Sequence, residues 1–206
     1  MGPKMSETAG DGVGTRKSQR CYQVDKSVAS TAPLRELLAE DFRLHYRSLV
    51  HPGLHALVIY RIGHWALSQP KAVRMPVKIL HRVINRLLIQ NLYGTEIADD
   101  ANIGRRVLIA HHLGVQIPSF GVVGDDSIIR HNVTLGLTDP SASREQVPRI
   151  GRRVELGAGA TVLGPISIGD GARIGPHAIV MVNVPPGATA FSQPARILLV
   201  QPETES

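Results

Sequence analysis

Three histidines, the adjacent His111 and His112 and the later His131, are side chains suited to moving a proton at neutral pH. An imidazole titrates near neutrality, so it serves as a general base or, where three share a site, as a metal ligand. The other reactive side chain is Cys21, the single cysteine. One cysteine cannot form an internal disulfide and suits a reducing compartment. Residues 1–30 around it are rich in Gly, Ser, Thr and Lys with no apolar period. That composition predicts a disordered tail, which makes Cys21 a poor candidate for covalent catalysis.

The elements that position these histidines follow from a beat of six. Branched or aliphatic residues recur at Ile97, Ile103, Ile109 and Val115, then at Val123, Ile129 and Leu135, then from Ile150 through Leu156, Val162, Ile168 and Ile174 to Val180. Small or branched residues fill the fifth position at Ala101, Val107, Ser127, Val133, Val154, Ala160, Ala172 and Ala178. Six matches neither the helical period of 3.6 nor the strand period of 2. It matches a coil of short strands joined by turns, a parallel β-helix. The beat breaks between Val115 and Val123, where two extra residues are absorbed at a corner. It breaks again between Leu135 and Ile150, where a polar loop (137–149) must leave the coil. Loops projecting from rigid scaffolds often complete active sites.

Ahead of the coil, three helices are expected: one after Pro33, one after Pro52 and one from about Pro76 to Asn91. Such a segment buries little alone and is expected to pack on the coil base or on another subunit. The organisation expected is a tail (1–30), a helical segment (31–93), a β-helix (94–197) and a short C-terminal tail (198–206). Aromatic residues make up only 4% of the chain, which suits a narrow interior better filled by Ile, Val, Leu and Ala.

The net charge of +6 is unevenly placed, with no acid and eight basic residues between Asp41 and Glu96. Arg74, Lys78, Arg82 and Arg86 form a stripe at helical spacing, either a solvated outer face or a contact with an anionic membrane surface. No aromatic interleaving or groove-reading motif accompanies the charge, so nucleic acid is not expected as a partner. No stretch is apolar and long enough to span a bilayer, and no signal-peptide core is present, so a cytoplasmic protein is expected.

The pieces "EIADDANIGRRVLIAHHLGVQI", "RHNVTLG", "PRIGRRVELGAGATVLGPISIGDGARIGPHAIV" and "VPPGATAFSQPARI" resemble the catalytic domain of serine acetyltransferases, members of the hexapeptide acyltransferase superfamily. The upstream "GLHALVIYRIGHWAL" resembles the end of that family's helical domain. The resemblance implies a mainly β protein, a left-handed parallel β-helix preceded by a small α-helical segment. It also implies homotrimers, sometimes paired, with acetyl-CoA as donor and a hydroxyl as acceptor. On it, His111 aligns with the catalytic base and Glu96 with the carboxylate that orients it. The two stand 15 residues apart, near one coil of eighteen, so they can meet across adjacent coils. His112 is the next candidate base, and His131 is either a second polar group of the site or a surface histidine. Gly157, Ala158 and Ala160 match the narrow surface on which the pantetheine of CoA would lie. Arg196 stands where CoA phosphates are expected, and Pro176 replaces a small residue usual in that groove.

The acceptor side departs from the pattern. Ala110 replaces the usual Asp, Gln146-Val147 replace an Arg-His pair, and "LHYRSLVHPGLH" lacks the family's Asp-Pro. These groups would contact the charged ends of serine. The chain is also similar to a branch that acetylates saccharides for exopolysaccharide assembly, through Ile129-Arg130-His131-Asn132-Val133-Thr134. The expected activity is acetyl-CoA-dependent O-acetyl transfer, with a saccharide acceptor preferred over serine. A serine O-acetyltransferase and a non-catalytic assembly protein are the alternatives. No metal is expected: in the carbonic anhydrases built on the same coil the histidines are spaced His-x4-His, and position 136 is Gly.

Overall fold

The computed structural model describes residues 32–139, 141, 143 and 146–194. Cys21, Arg196 and the expected tails at 1–30 and 198–206 lie outside the described residues.

Helix α1 (Leu34–Leu44) follows Pro33, whose fixed φ of −63° starts the chain in an extended approach to the first turn. Helix α2 (Pro52–Leu67) carries Pro52 in its opening turn, where a missing N–H costs nothing. Helix α3 (Lys71–Ile84) begins five residues earlier than Pro76, the start expected from sequence. Pro76 lies inside it, so early that only the Ala72 carbonyl loses its helical partner. A π-helical turn (Asn85–Gln90) leads from α3 into the coil.

The coil runs through fourteen short strands among the described residues. Its lowest turn is β1 (Glu96–Ile97), β2 (Asn102–Ile103) and β3 (Leu108–Ile109). The second is β4 (Gln116–Ile117), β5 (Val122–Val123) and β6 (Ile128–Ile129). The third is β7 (Thr134–Gly136), β8 (Arg149–Ile150) and β9 (Glu155–Leu156), and the fourth β10 (Thr161–Leu163), β11 (Ser167–Ile168) and β12 (Arg173–Ile174). Strands β13 (Ile179–Val180) and β14 (Thr189–Ala190) lie above. Each pairs in parallel with the strand one coil away, which gives three faces ordered β1-β4-β7-β10-β13, β2-β5-β8-β11 and β3-β6-β9-β12-β14. This is the left-handed parallel β-helix.

Every position named on the beat of six is buried, as is every small residue at the fifth position. Ile109, Ile129, Leu156 and Ile174 stack at 0–1% exposure on one face. Burying each such side chain contributes about 1.5–3 kcal/mol. The register corrects one detail of the sequence reading. Ile97 pairs with Ile117, so Ile117 is the inward residue of β4 and Val115 takes the corner slot. The two extra residues therefore lie between Ile109 and Ile117, in the turn that carries His111 and His112. Periodicity alone could not decide this, because Val115 and Ile117 are both branched and both buried. The second break falls where expected: Val122 pairs with Arg149, nine residues beyond an eighteen-residue coil.

The lowest strands of the three faces are edges, and an edge presents unpaired backbone N–H and C=O groups. The helices close it. Tyr60 donates its hydroxyl to the Ala101 carbonyl (2.8 Å) and accepts from the Ile103 N–H (3.1 Å). Arg61 donates to the carbonyls of Ile103 (2.7 Å) and Gly104 (2.6 Å), and through Nε to Asp41 on α1 (3.0 Å). Asp41 and Arg61 are both buried, and desolvation pushes the Asp41 carboxyl up while the Arg61 guanidinium beside it pulls it back. Gly53 of α2 comes so near the coil that a Cβ there would lie 2.2 Å from the Ile109 carbonyl oxygen.

The basic stripe of α3 is not a uniformly solvated face. Lys78 is ion-paired with Asp99 of the coil, and Arg86 hydrogen-bonds Gln90 one turn on (2.9 Å). The side of α3 turned outward instead carries Val73, Met75, Ile79, Leu80 and Val83, with Leu87 of the π-helical turn. No described helix is long and apolar enough to cross a membrane.

Candidate active site

Strand β3 ends at Ile109, and the chain swings outward through Ala110 to Gly114 before β4. The two residues added here take His111 and His112 off the inward beat. Gly114 has φ +69°, a conformation open to glycine, and a Cβ there would come 2.2 Å from the Asn132 side-chain oxygen. The turn is pinned to the coil above by the Asn132 N–H donating to the Leu113 carbonyl (2.7 Å). The same corner repeats upward: the Gly159 N–H donates to the His131 carbonyl (2.9 Å), and the His177 N–H to the Ala158 carbonyl (2.8 Å). His111, His131, the Gly157-Ala158-Gly159 turn and the Pro176-His177 turn thus form one column along the corner.

At its foot, His111 is exposed and stands edge-to-face with His131, ring centroids 5.6 Å apart and planes at 68°. Neither ring makes a hydrogen bond among the described residues, so the nitrogens of both are available to a ligand. His112 is turned toward the helices, its ring edge-on to Tyr93 at 4.8 Å, while its carbonyl accepts from the Thr95 hydroxyl. His55 Nε2 donates to the Leu49 carbonyl (2.6 Å), which leaves Nδ1 to accept the Tyr93 hydroxyl proton (2.9 Å). His51 completes the group: its Nδ1 is buried without a hydrogen-bond partner, and its ring lies 5.1 Å from that of His45.

Burial holds His51 and His112 below the ordinary imidazole range, and the neighbouring imidazoles lower both further, His111 and His55 acting on His51 and His51, His111 and His55 on His112. No carboxylate contributes to either shift, so both rings are neutral at neutral pH. No three His, Cys, Asp or Glu among the described residues are placed to hold a metal ion. The arrangement suits accepting a proton at an exposed imidazole beside a second one.

Glu96 is exposed at the start of β1, directly after Thr95, and no hydrogen bond joins it to His111 among the described residues. It borders a cavity of about 330 Å³ lined also by Gln116, Pro118, Ser119, Leu137 and Val147. Val147, which stands in place of a charged residue on the acceptor side, is buried in its wall, and Ala110 leaves the turn before His111 without charge. Higher on the column, Gly157 and Ala160 are buried, Ala158 is half-buried and Pro176 is exposed. A Cβ on Gly157 would lie 2.7 Å from the Ile174 carbonyl oxygen and the Pro176 nitrogen, so the corner admits only glycine at this spacing.

The sequence reading named His111, His112 and His131 and missed His51, His55 and Tyr93. The signal for His51 and His55 was the density of histidine in "LHYRSLVHPGLH", a segment 56 to 67 residues before His111 whose approach only the helical fold brings about; Tyr93 had none.

Residues 148–181 match the family model for bacterial transferase hexapeptide (six repeats). The chain is 39% identical over 150 residues to a serine acetyltransferase of Helicobacter pylori, across 73% of this chain and 83% of that one. A soybean serine acetyltransferase complexed with serine superposes with a TM-score of 0.66 at 33% identity, over 80% of this chain and 69% of that one. A Brucella abortus serine acetyltransferase in complex with coenzyme A superposes with a TM-score of 0.66 at 28% identity, over 80% and 67%.

Proposed function

Because the chain belongs to the serine acetyltransferase family of hexapeptide acyltransferases, we propose that this acetyltransferase moves an acetyl group from acetyl-CoA to the hydroxyl of L-serine. The observation that carries the reading is the exposed His111–His131 pair at the foot of a column of small residues. His111 takes the proton of the acceptor hydroxyl as its oxygen attacks the thioester carbonyl carbon. The C–O bond forms, the C–S bond breaks, and the proton passes to the departing thiolate. The transfer is direct, with no acyl-enzyme. Gly157, Ala158 and Ala160 provide the flat surface for the donor's pantetheine arm, Pro176 borders it, and Arg196 supplies a cation for its phosphates. The assembly is a homotrimer in the cytoplasm, with the donor in the cleft between neighbouring copies.

The saccharide acceptor expected from sequence has no support among the relatives named above, none of which is described as acting on a sugar. Serine fits better, with the lost charged groups a matter of rearranged recognition. The membrane contact expected through residues 74–86 likewise finds no support. Release of CoA from acetyl-CoA by the pure protein, with L-serine beside a panel of nucleotide-linked sugars, tests the acceptor. Turnover with serine is expected, and turnover with sugars alone would reverse the assignment.

Glu96 is assigned the orienting role on alignment, supported by its negative charge on the lowest coil. Glu96→Gln is expected to lower kcat/KM for serine by about tenfold, short of the loss on removing the base. Full activity in that variant would remove Glu96 from the mechanism.

A further inference from the structure

A buried imidazole that the mechanism does not use reaches to within two residues of His111. His45, the residue after α1, is fully buried. Its Nδ1 lies 2.7 Å from the Asp41 carbonyl oxygen, an atom that only accepts, so Nδ1 carries the proton. Its Nε2 lies 3.3 Å from the Ile109 nitrogen and accepts that N–H. Both contacts are satisfied together in one state only, the neutral ring protonated on Nδ1. The Ile109 amide belongs to an edge strand and has no coil below it to bind. It is also the last strand residue before the His111 turn.

We infer that His45 is a positioning residue for the transfer reaction, holding the His111 turn in place by accepting the Ile109 N–H. The inference rests on the acetyl-transfer reading for its effect on rate, and on the hydrogen-bond geometry for the device itself. Protonation of His45 puts a second N–H against the Ile109 N–H, two donors face to face, and releases the turn. The groups facing His45 are Asp41 on α1, itself bonded to Arg61 on α2, and His51 on the α1–α2 connection at 5.1 Å. From the coil, the Ile109 amide faces it. Burial and His51 hold His45 below its ordinary value of 6.5, against the opposing pull of Asp41. Release therefore comes only at acid pH, below 6.5. In linkage terms the unfolded chain takes up this proton first, so the stability that His45 contributes declines as pH falls through that window.

The test compares His45→Phe, which keeps ring bulk but removes the acceptor, with His45→Gln, whose side-chain oxygen can still accept the Ile109 N–H. His45→Phe is expected to lower kcat for serine acetylation by about tenfold, with KM for acetyl-CoA within about twofold, since misplacing a catalytic group costs rate more than binding. His45→Gln is expected to restore kcat and to flatten the acid limb of the pH–rate profile, which in the native protein steepens where His45 adds its proton to that of the base. Two readouts do not need turnover: the ring 15N spectrum of His45, expected to show the proton on Nδ1, and hydrogen exchange at the Ile109 amide, expected to be faster in His45→Phe alone. Native kcat in His45→Phe, no rescue in a folded His45→Gln, a proton on Nε2, or unchanged Ile109 exchange would each overturn the inference. Loss of turnover with every acceptor, alongside the expected 15N and exchange results, would instead count against the acetyl-transfer reading and leave the device in place.

Discussion

His111→Ala is expected to lower kcat/KM for acetyl transfer to L-serine by about 10²- to 10⁴-fold, the range for removal of a positioned general base. The side chain is exposed, makes no hydrogen bond among the described residues and has its ring contact with His131 alone among them, so its loss is expected to leave the fold and the thermal midpoint nearly unchanged. Stability and rate therefore separate cleanly in this variant. A loss in kcat with KM for acetyl-CoA preserved points to an interaction made in the transition state. His131, 5.6 Å away, is the available substitute base, and it limits how far the rate falls. A double variant lacking both imidazoles should remove the residual activity. Steady-state CoA release, followed with serine at saturating donor, checks both. An unchanged rate in His111→Ala would take the base away from this turn.

The second large effect lies at the cap. Arg61→Met is expected to destabilise the protein by about 3–5 kcal/mol, because it leaves the Asp41 carboxylate buried without a counter-charge. The Ile103 and Gly104 carbonyls lose their donor as well, each worth about 1–3 kcal/mol when buried and unpaired. Adding Asp41→Leu should recover the charge part of the loss and none of the carbonyl part. Denaturant unfolding of the two variants beside the native protein measures the split. A full recovery would mean that the guanidinium matters to Asp41 alone and not to the coil edge.

Much of the coil was legible in the chain because its rule is one-dimensional. Ile150, Leu156, Val162, Ile168, Ile174 and Val180 each occupy the inward slot assigned from spacing, and the loop after β7 leaves at the second break in the beat. The first break was misplaced because Val115 and Ile117 are both apolar, and only the pairing of Ile97 with Ile117 shows which one faces inward. The start of α3 was misplaced because Pro76 reads as a helix boundary although an early helical turn tolerates it. His111 and His131 were visible as a motif, and their approach follows from the stacking of corners. His51, His55 and Tyr93 were not, since they reach the corner through the packing of the helical segment on the coil, a contact without a sequence period. The orienting contact between Glu96 and His111 is carried by the resemblance alone: Glu96 opens β1 directly after Thr95, whose hydroxyl donates to the His112 carbonyl.

The closed lower edge also bears on how copies of this chain can assemble. A coil with an open end offers three strand edges at once, all parallel, all ready to accept another coil. Copies stacking end on end in that way would make a head-to-tail contact with no rotation to close it, and such contacts grow into filaments. Tyr60 and Arg61 occupy backbone groups of the β2 edge and His45 that of Ile109 on the β3 edge, so a second coil could not pair there without displacing them, whereas contacts on the sides of the coil leave them in place.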